Sequence, residues 1–311
     1  MFDLLGRFGV EASALAGHSY GELVALHAAG ALPEESLWAA SRVRGEAMAD
    51  KGTDRGTMAA VSGALSDIEA VLDTLDDGVV LANRNHPRQG VISGSEAGIE
   101  RAMAALEAAG LTPQRIPVSA AFHSELVADA VAPMREVLDT VEVAAPERTV
   151  YSNVTAAPYD ASADAVRTGL LDQITSTVRF VDIVEAMYAD GIRTFVECGP
   201  KRVLSGLVRK TLKAHDDVTA VAVNPDGDRK DGDVQLKELL AVLATRGVAL
   251  DLAPFLAETL PQAPREAGSK ATVPLFPSGQ GGHPEAWGDG LAFFEPQRGN
   301  CTFTMRVFAT D

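Results

Sequence analysis

Apolar and polar positions along this chain fall into short blocks that read as strands and helices in turn. Residues 3–9 carry the spacing of the end of an amphipathic helix. Ala12–Ala16 is a short apolar run stopping at Gly17, which suits a buried strand, and Glu22–Ala29 then reads as a helix rich in leucine and alanine. Pro33, Glu34 and Glu35 open another helix, because proline and acids suit a first turn. This helix runs through Arg44 to about Met48.

The pattern changes near Lys51-Gly52-Thr53. Met58–Val61 reads as a strand, and Ser66 opens a helix to about Leu75. Val79–Ala82 and Gly90–Ser93 read as strands around a polar turn, Asn83–Gln89. Glu96–Ala109 is a helix and Gln114–Val118 a strand. The order β-α-β-β-α-β is that of a split, ferredoxin-like unit inserted in a larger one. After Ser119 the pattern predicts helix Glu125–Leu138, strand Thr149–Ser152 and a weaker element around Ile174. Helix Val181–Ala189, strand Thr194–Glu197, helix Val203–Lys213, strand Val218–Val223 and helix Val234–Arg246 follow. From about Pro261 the pattern fades. Gly279-Gln280-Gly281-Gly282 lacks the preceding strand and following helix of a phosphate loop, so the tail reads as a linker or disordered segment.

The expected class is α/β: a large subdomain from 1–54 and 121–225, resembling an α/β-hydrolase, with a ferredoxin-like small subdomain at 55–120. A helical region at 226–260 and the tail at 261–311 follow. The 311 residues, 46% hydrophobic, suffice for such a core. A formal net charge of −16 argues against free nucleic acid as a partner, since phosphate binding needs a basic surface. The run Lys201, Arg202, Arg209, Lys210 and Lys213 is either a solvated helix face or a local basic patch. Two cysteines, Cys198 and Cys301, suggest neither a metal site nor a disulfide framework. A reducing cytoplasm is the expected location. No apolar run reaches the roughly 18 residues of a membrane span, and the N-terminus lacks the features of a signal peptide.

The chemistry-bearing feature is Gly17-His18-Ser19-Tyr20-Gly21, placed between a strand and a helix. Small residues there allow a sharp turn that exposes the serine hydroxyl, and the following helix N-terminus favours developing negative charge. A serine needs a base to become a nucleophile. Of six histidines, His27 and His215 read as structural or exposed, His283 lies in the tail, His86 sits in the polar turn, and His18 adjoins the serine at a turn where neighbours point apart. His123, in the loop after a strand, is the best candidate base. The acids between Ser19 and His123, such as Asp67 and Asp76, read as helix and turn residues. A Ser–His dyad without an acid, with a backbone carbonyl fixing the imidazole tautomer, therefore fits.

Taken in order, Gly-His-Ser-Tyr-Gly-Glu, Val43-Arg44-Gly45, Asn85-x-Pro87-x-Gln89, Ala121-Phe122-His123-Ser124 and Glu197-Cys198-Gly199-Pro200 resemble the malonyl-CoA:acyl carrier protein transacylase family. The sequence is most similar to acyltransferase domains of type I polyketide synthases, including enediyne and polyunsaturated fatty acid synthases. The resemblance implies Ser19 as acyl carrier, His123 as base and the Tyr20 backbone NH as an oxyanion donor. It implies Arg44 as anchor for a malonyl carboxylate, and the Asp190 carbonyl as the group orienting the histidine. Phe122, His18, Asn85 and Gln89 would contact substrate or hold the turn beside it. The bulk of Phe122 points to malonyl rather than methylmalonyl. It further implies no bound cofactor, a CoA thioester as substrate, the phosphopantetheine of an acyl carrier protein as acceptor, and other polyketide synthase domains as partners. The family begins with a Gly-Gln-Gly loop before the serine that this chain lacks. Leu275–Gly281 echoes that loop at the other end. A serine hydrolase or thioesterase, and an inactive fragment or docking module, remain as alternatives.

Overall fold

A computed structural model describes residues 1–49, 55–118, 120–253 and 301–305. Five parallel strands form the larger sheet, in the order β6 (Thr149–Tyr151), β1 (Ala14–Gly17), β9 (Cys301–Met305), β7 (Thr194–Pro200) and β8 (Thr219–Asn224). Parallel strands need both faces covered, and their sequences accordingly run apolar without alternation. All four residues of β1 are buried. Leu15 joins a core with Leu23, Leu26 and Leu138, whereas Ala14 and Ala16 join Phe180, Ile183 and Phe195 in a second core.

Helices α1 (Phe2–Gly6), α2 (Gly21–Ala28) and α3 (Glu34–Ala49) precede the insertion. Strands β2 (Thr57–Ser62), β3 (Val80–His86), β4 (Gln89–Gly94) and β5 (Thr112–Ile116) then make an antiparallel sheet in the order β3-β4-β2-β5. With α4 (Leu65–Leu72) and α5 (Glu96–Ala108) over a core of Val61, Ile68, Ile92, Ile99 and Leu106, this is a split β-α-β unit. The chain leaves it where the Ala121 amide donates to the Arg55 carbonyl at 2.7 Å. The connection ahead of Phe180 is tied to β3 of the small sheet by Arg84 N to Val178 O at 2.9 Å and Val178 N to Ala82 O at 2.8 Å.

The remaining helices are α6 (Val131–Thr140), α7 (Ala163–Asp172), α8 (Phe180–Ala189), α9 (Val203–Thr211) and α10 (Gly232–Thr245). The helix expected over Glu125–Leu138 divides into a 3₁₀ segment, Glu125–Ala130, kinked within at Val127, and α6. Helix α7 ends just ahead of the weak element expected around Ile174. Its signal is local, the Ser162 hydroxyl accepting from the Ala165 amide at 3.1 Å as an N-cap.

Of the linker expected for 261–311, the described residues are Cys301–Met305, and they form a strand. Cys301–Met305 pairs with both β1 and β7 and fills the centre of the large sheet. The peptide groups of β1 and β7 facing this position need partners, and a short strand-forming segment supplies them. The Gly279–Gly282 stretch and the rest of 261–300 lie outside the described residues, as does Leu275–Gly281. Among the described residues no helix is long and apolar enough to cross a membrane, and no cluster of His, Cys, Asp and Glu could hold a metal ion.

Candidate active site

Ser19 stands where β1 hands over to α2, with a left-handed backbone at φ 51°. The turn is tight enough that a Cβ on Gly17 would lie 1.9 Å from the Gly21 carbonyl carbon, so only glycine fits at 17. The Asn153 side chain braces the turn on both sides. Its Oδ1 accepts the Ser19 amide at 2.7 Å and its Nδ2 donates to the Gly17 carbonyl at 2.7 Å. The Gly21, Glu22 and Leu23 amides are taken by the His18, Ser19 and Tyr20 carbonyls, while among the described residues no backbone carbonyl takes the Tyr20 amide.

His123 also has a left-handed backbone, φ 58°, and is 3% exposed. Its Nε2 lies 2.7 Å from Ser19 Oγ. Its Nδ1 lies 3.0 Å from the Gln173 carbonyl oxygen. A carbonyl can only accept, so Nδ1 carries the proton and Nε2 presents its lone pair to the serine. Burial, reinforced by the Arg44 and His18 charges, pushes the imidazole down to about 3. It is therefore neutral at physiological pH.

The carbonyl expected from Asp190 is thus supplied by Gln173. Asp190 caps the C-terminus of α8, ahead of β7, and its carboxylate accepts the Tyr151 hydroxyl. In a parallel sheet that loop lies at the strands' N-terminal ends, opposite the C-terminal end of β1 that carries Ser19.

Arg44 reads as a surface residue in its own helix, yet it is 8% exposed. Its Nη2 lies 3.3 Å from Ser19 Oγ and 3.2 Å from Gln173 Oε1. Its guanidinium lies over the Tyr20 ring at 5.9 Å from the centroid. Burial lowers its pKa to about 10, still charged at neutral pH, with Glu22 holding it up. Two polar groups of the serine–histidine–arginine cluster escaped sequence reasoning, Asn153 and Gln173. Each follows an apolar segment, where a fully buried amide is unusual and signals a built network.

The other expected residues divide. His18 Nε2 meets Asn85 Oδ1 at 2.8 Å, so this pair bridges the two subdomains beside the serine. Phe122 packs partly buried against the large core and against Met58, Ala82 and Val91 of the small subdomain. Gln89 opens β4 opposite His86 and Ser62, in the sheet rather than in the polar turn expected at 83–89. His86 likewise ends β3, buried, and its pKa is lowered by that burial and by nearby Lys210 and Arg88. Lys201, Arg202, Arg209, Lys210 and Lys213 are exposed on and beside α9.

A strand–serine–helix elbow with a buried histidine on the hydroxyl is the arrangement found in nucleophilic-serine α/β proteins. The Acyl transferase domain model matches residues 1–250, and the chain belongs to that family. It is 37% identical over 254 residues to a polyunsaturated fatty acid synthase protein from Thraustochytrium sp., covering 80% of this chain and 9% of the synthase. It is 40% identical over 211 residues to the malonyl CoA-acyl carrier protein transacylase of Bacillus subtilis, covering 65% of each. The chain therefore spans less than two thirds of these relatives. Among solved structures, the acyltransferase domain of an iterative polyketide synthase in enediyne biosynthesis matches with a TM-score of 0.70 and 31% identity. That match covers 82% of this chain and 65% of that one.

Proposed function

We propose that this chain transfers a malonyl group from CoA to the phosphopantetheine thiol of an acyl carrier protein, through an ester on Ser19. The observation that carries this reading is the convergence of His123 Nε2 and Arg44 Nη2 on one atom, Ser19 Oγ, at 2.7 and 3.3 Å. A base beside the hydroxyl makes a nucleophile. A buried guanidinium beside the same hydroxyl has no use in hydrolysing a neutral ester, but it suits an acyl group ending in a carboxylate.

Nε2 takes the serine proton as Oγ bonds to the thioester carbon. The oxyanion that forms faces the α2 N-terminus, where the Tyr20 amide is placed to donate. The carbon–sulfur bond then breaks and the CoA sulfur leaves with the proton from Nε2. The carrier thiol reverses the sequence. The free imidazole is a weak base because burial and the Arg44 charge hold it low. A malonyl carboxylate over Arg44 cancels much of that positive field and strengthens the base as substrate binds. Phe122, adjoining His123, crowds the α-carbon and supports malonyl over methylmalonyl. His18 and Asn85 line the subdomain junction beside the serine. The cations on α9 offer a surface for an acidic carrier protein, and sister synthase domains fit the multidomain relatives.

Intact-mass measurement after incubation with malonyl-CoA tests the reading. The expected result is one malonyl adduct on the parent chain and none on Ser19→Ala. Rapid CoA release without any adduct would assign the site to a hydrolase instead.

A further inference from the structure

Beneath the serine lies a carboxylate that the reaction above does not use. Glu22, in the first turn of α2, is 0% exposed. Its Oε1 accepts the Asn153 amide at 2.9 Å and the Tyr159 hydroxyl at 2.8 Å. Its Oε2 accepts the Gln173 side-chain amide. The same Gln173 Nε2 donates to the Ser19 carbonyl at 2.8 Å, and Gln173 Oε1 accepts from Arg44.

The Gln173 amide is thus held by opposite demands at its two ends. Its NH₂ faces a carboxylate and a carbonyl, both acceptors, and its oxygen faces a guanidinium, which can only donate. Turning the amide over would set donor against donor and acceptor against acceptor. Arg44 in turn depends on this amide. Its Nε is buried with no hydrogen-bond partner among the described residues, so Nη2 alone carries the hydrogen bonds that aim it. Glu22 also faces Arg44 electrostatically.

We propose that Glu22 is a positioning residue: its carboxylate sets the polarity of the Gln173 amide, and that amide aims Arg44 at the acyl group on Ser19. The contacts run from α2, through Gln173 just after α7, to Arg44 on α3, and Glu22 itself touches neither Ser19 Oγ nor the imidazole. The backbone carbonyl of Gln173 meanwhile fixes His123, so one residue sets both the base and the anion anchor. The proposal rests on the acyl-transfer reading above.

Loading of Ser19 on the full chain, followed with malonyl-CoA and with acetyl-CoA, tests it. An amide at position 22 presents hydrogens to the Gln173 NH₂ and forces the Gln173 side chain to turn. With Glu22→Gln, malonyl kcat/KM is expected to fall about a hundredfold, the cost of roughly 1 Å of misplacement. The loss should lie mainly in KM, with acetyl loading little changed. In an Arg44→Ala background the same substitution should add nothing to the malonyl defect. Glu22→Asp, which keeps the charge, should recover part of it. Equal malonyl loading by parent and Glu22→Gln, a parallel fall with both thioesters, or an additive effect with Arg44→Ala would each overturn the proposal. Should Glu22→Gln not fold, Gln173→Met removes the amide while keeping the carbonyl under His123. It is expected to lose more malonyl than acetyl loading, and parental malonyl loading by this variant would overturn the relay. A parent that loads no acyl group overturns the acyl-transfer reading and this one together.

Discussion

Replacing Arg44 by alanine separates anion recognition from nucleophilic chemistry. The guanidinium is 8% exposed and reaches both Ser19 Oγ and Gln173 Oε1. A malonyl carboxylate seated there gains charge-assisted hydrogen bonds worth about 1.5–3 kcal/mol each. Removing one partner from a buried ion pair costs about 3–5 kcal/mol. At about 1.36 kcal/mol per decade of rate, malonyl kcat/KM should drop roughly 10²–10³-fold or more. Acetyl-CoA carries no carboxylate, so its loading should hold or rise. A second readout follows from His123, whose imidazole is held down first by burial and next by the Arg44 charge. Without that charge the imidazole pKa rises, and the acid limb of acetyl loading should move to higher pH than in the parent. Single-turnover loading of both thioesters across pH measures these together. Equal losses with malonyl and acetyl, or an unmoved acid limb, would refute the argument that Arg44 acts as an anion anchor next to the base.

The buried pair of titrating groups makes a stability prediction. Glu22 is raised from 4.5 to about 7 by burial, against its hydrogen bonds to Asn153, Gln173 and Tyr159 and the Arg44 charge. The folded state therefore holds a proton that the unfolded chain has lost, and its contribution falls as pH rises from 4.5 to about 7. His123 is lowered from 6.5 to about 3, so its contribution is complete above 6.5 and is lost as pH falls towards 3. The two oppose each other where the windows overlap. Glu22→Gln removes one of them, so the stability of the variant relative to the parent should increase by about 1.4 kcal/mol per pH unit across the Glu22 window. Urea denaturation at several pH values reads this, and a pH-independent difference would show that Glu22 does not titrate there. Phe122→Ala should improve methylmalonyl loading relative to malonyl by about 1–3 kcal/mol, the scale of one methyl group in an apolar pocket. A competition assay in which the two thioesters keep their parental ratio would place specificity elsewhere.

Much of the architecture was legible in the order of apolar blocks. A four-residue buried strand stopping at Gly17 and a helix opening at Gly21 are local features, and so is the β-α-β-β-α-β order of the insertion. These follow from hydropathy period and turn chemistry, which act over a few residues. Helix α7 was less legible, because its buried apolar residues are few, Val166, Leu170 and Leu171, and its start depends on the Ser162 hydroxyl. The central position of Cys301–Met305 was not legible at all. Strand pairing across nearly three hundred residues is decided by which edges of β1 and β7 remain to be paired, not by the pentapeptide itself.

The site divides along the same line. The residue types required, a serine in a glycine-bounded turn and a histidine in a loop after a strand, were set by sequence alone. So was an arginine at a motif position, through its resemblance to a family. The three-dimensional packing decided which carbonyl holds the imidazole, choosing Gln173 over Asp190 because the parallel sheet puts them at opposite ends of its strands. It also turned Arg44 from a helix-surface residue into a buried cation and gave Glu22 its partners on the β6–α7 connection and just after α7. Hydrogen-bond direction and desolvation depend on groups brought together by folding, and no local pattern along the chain encodes them.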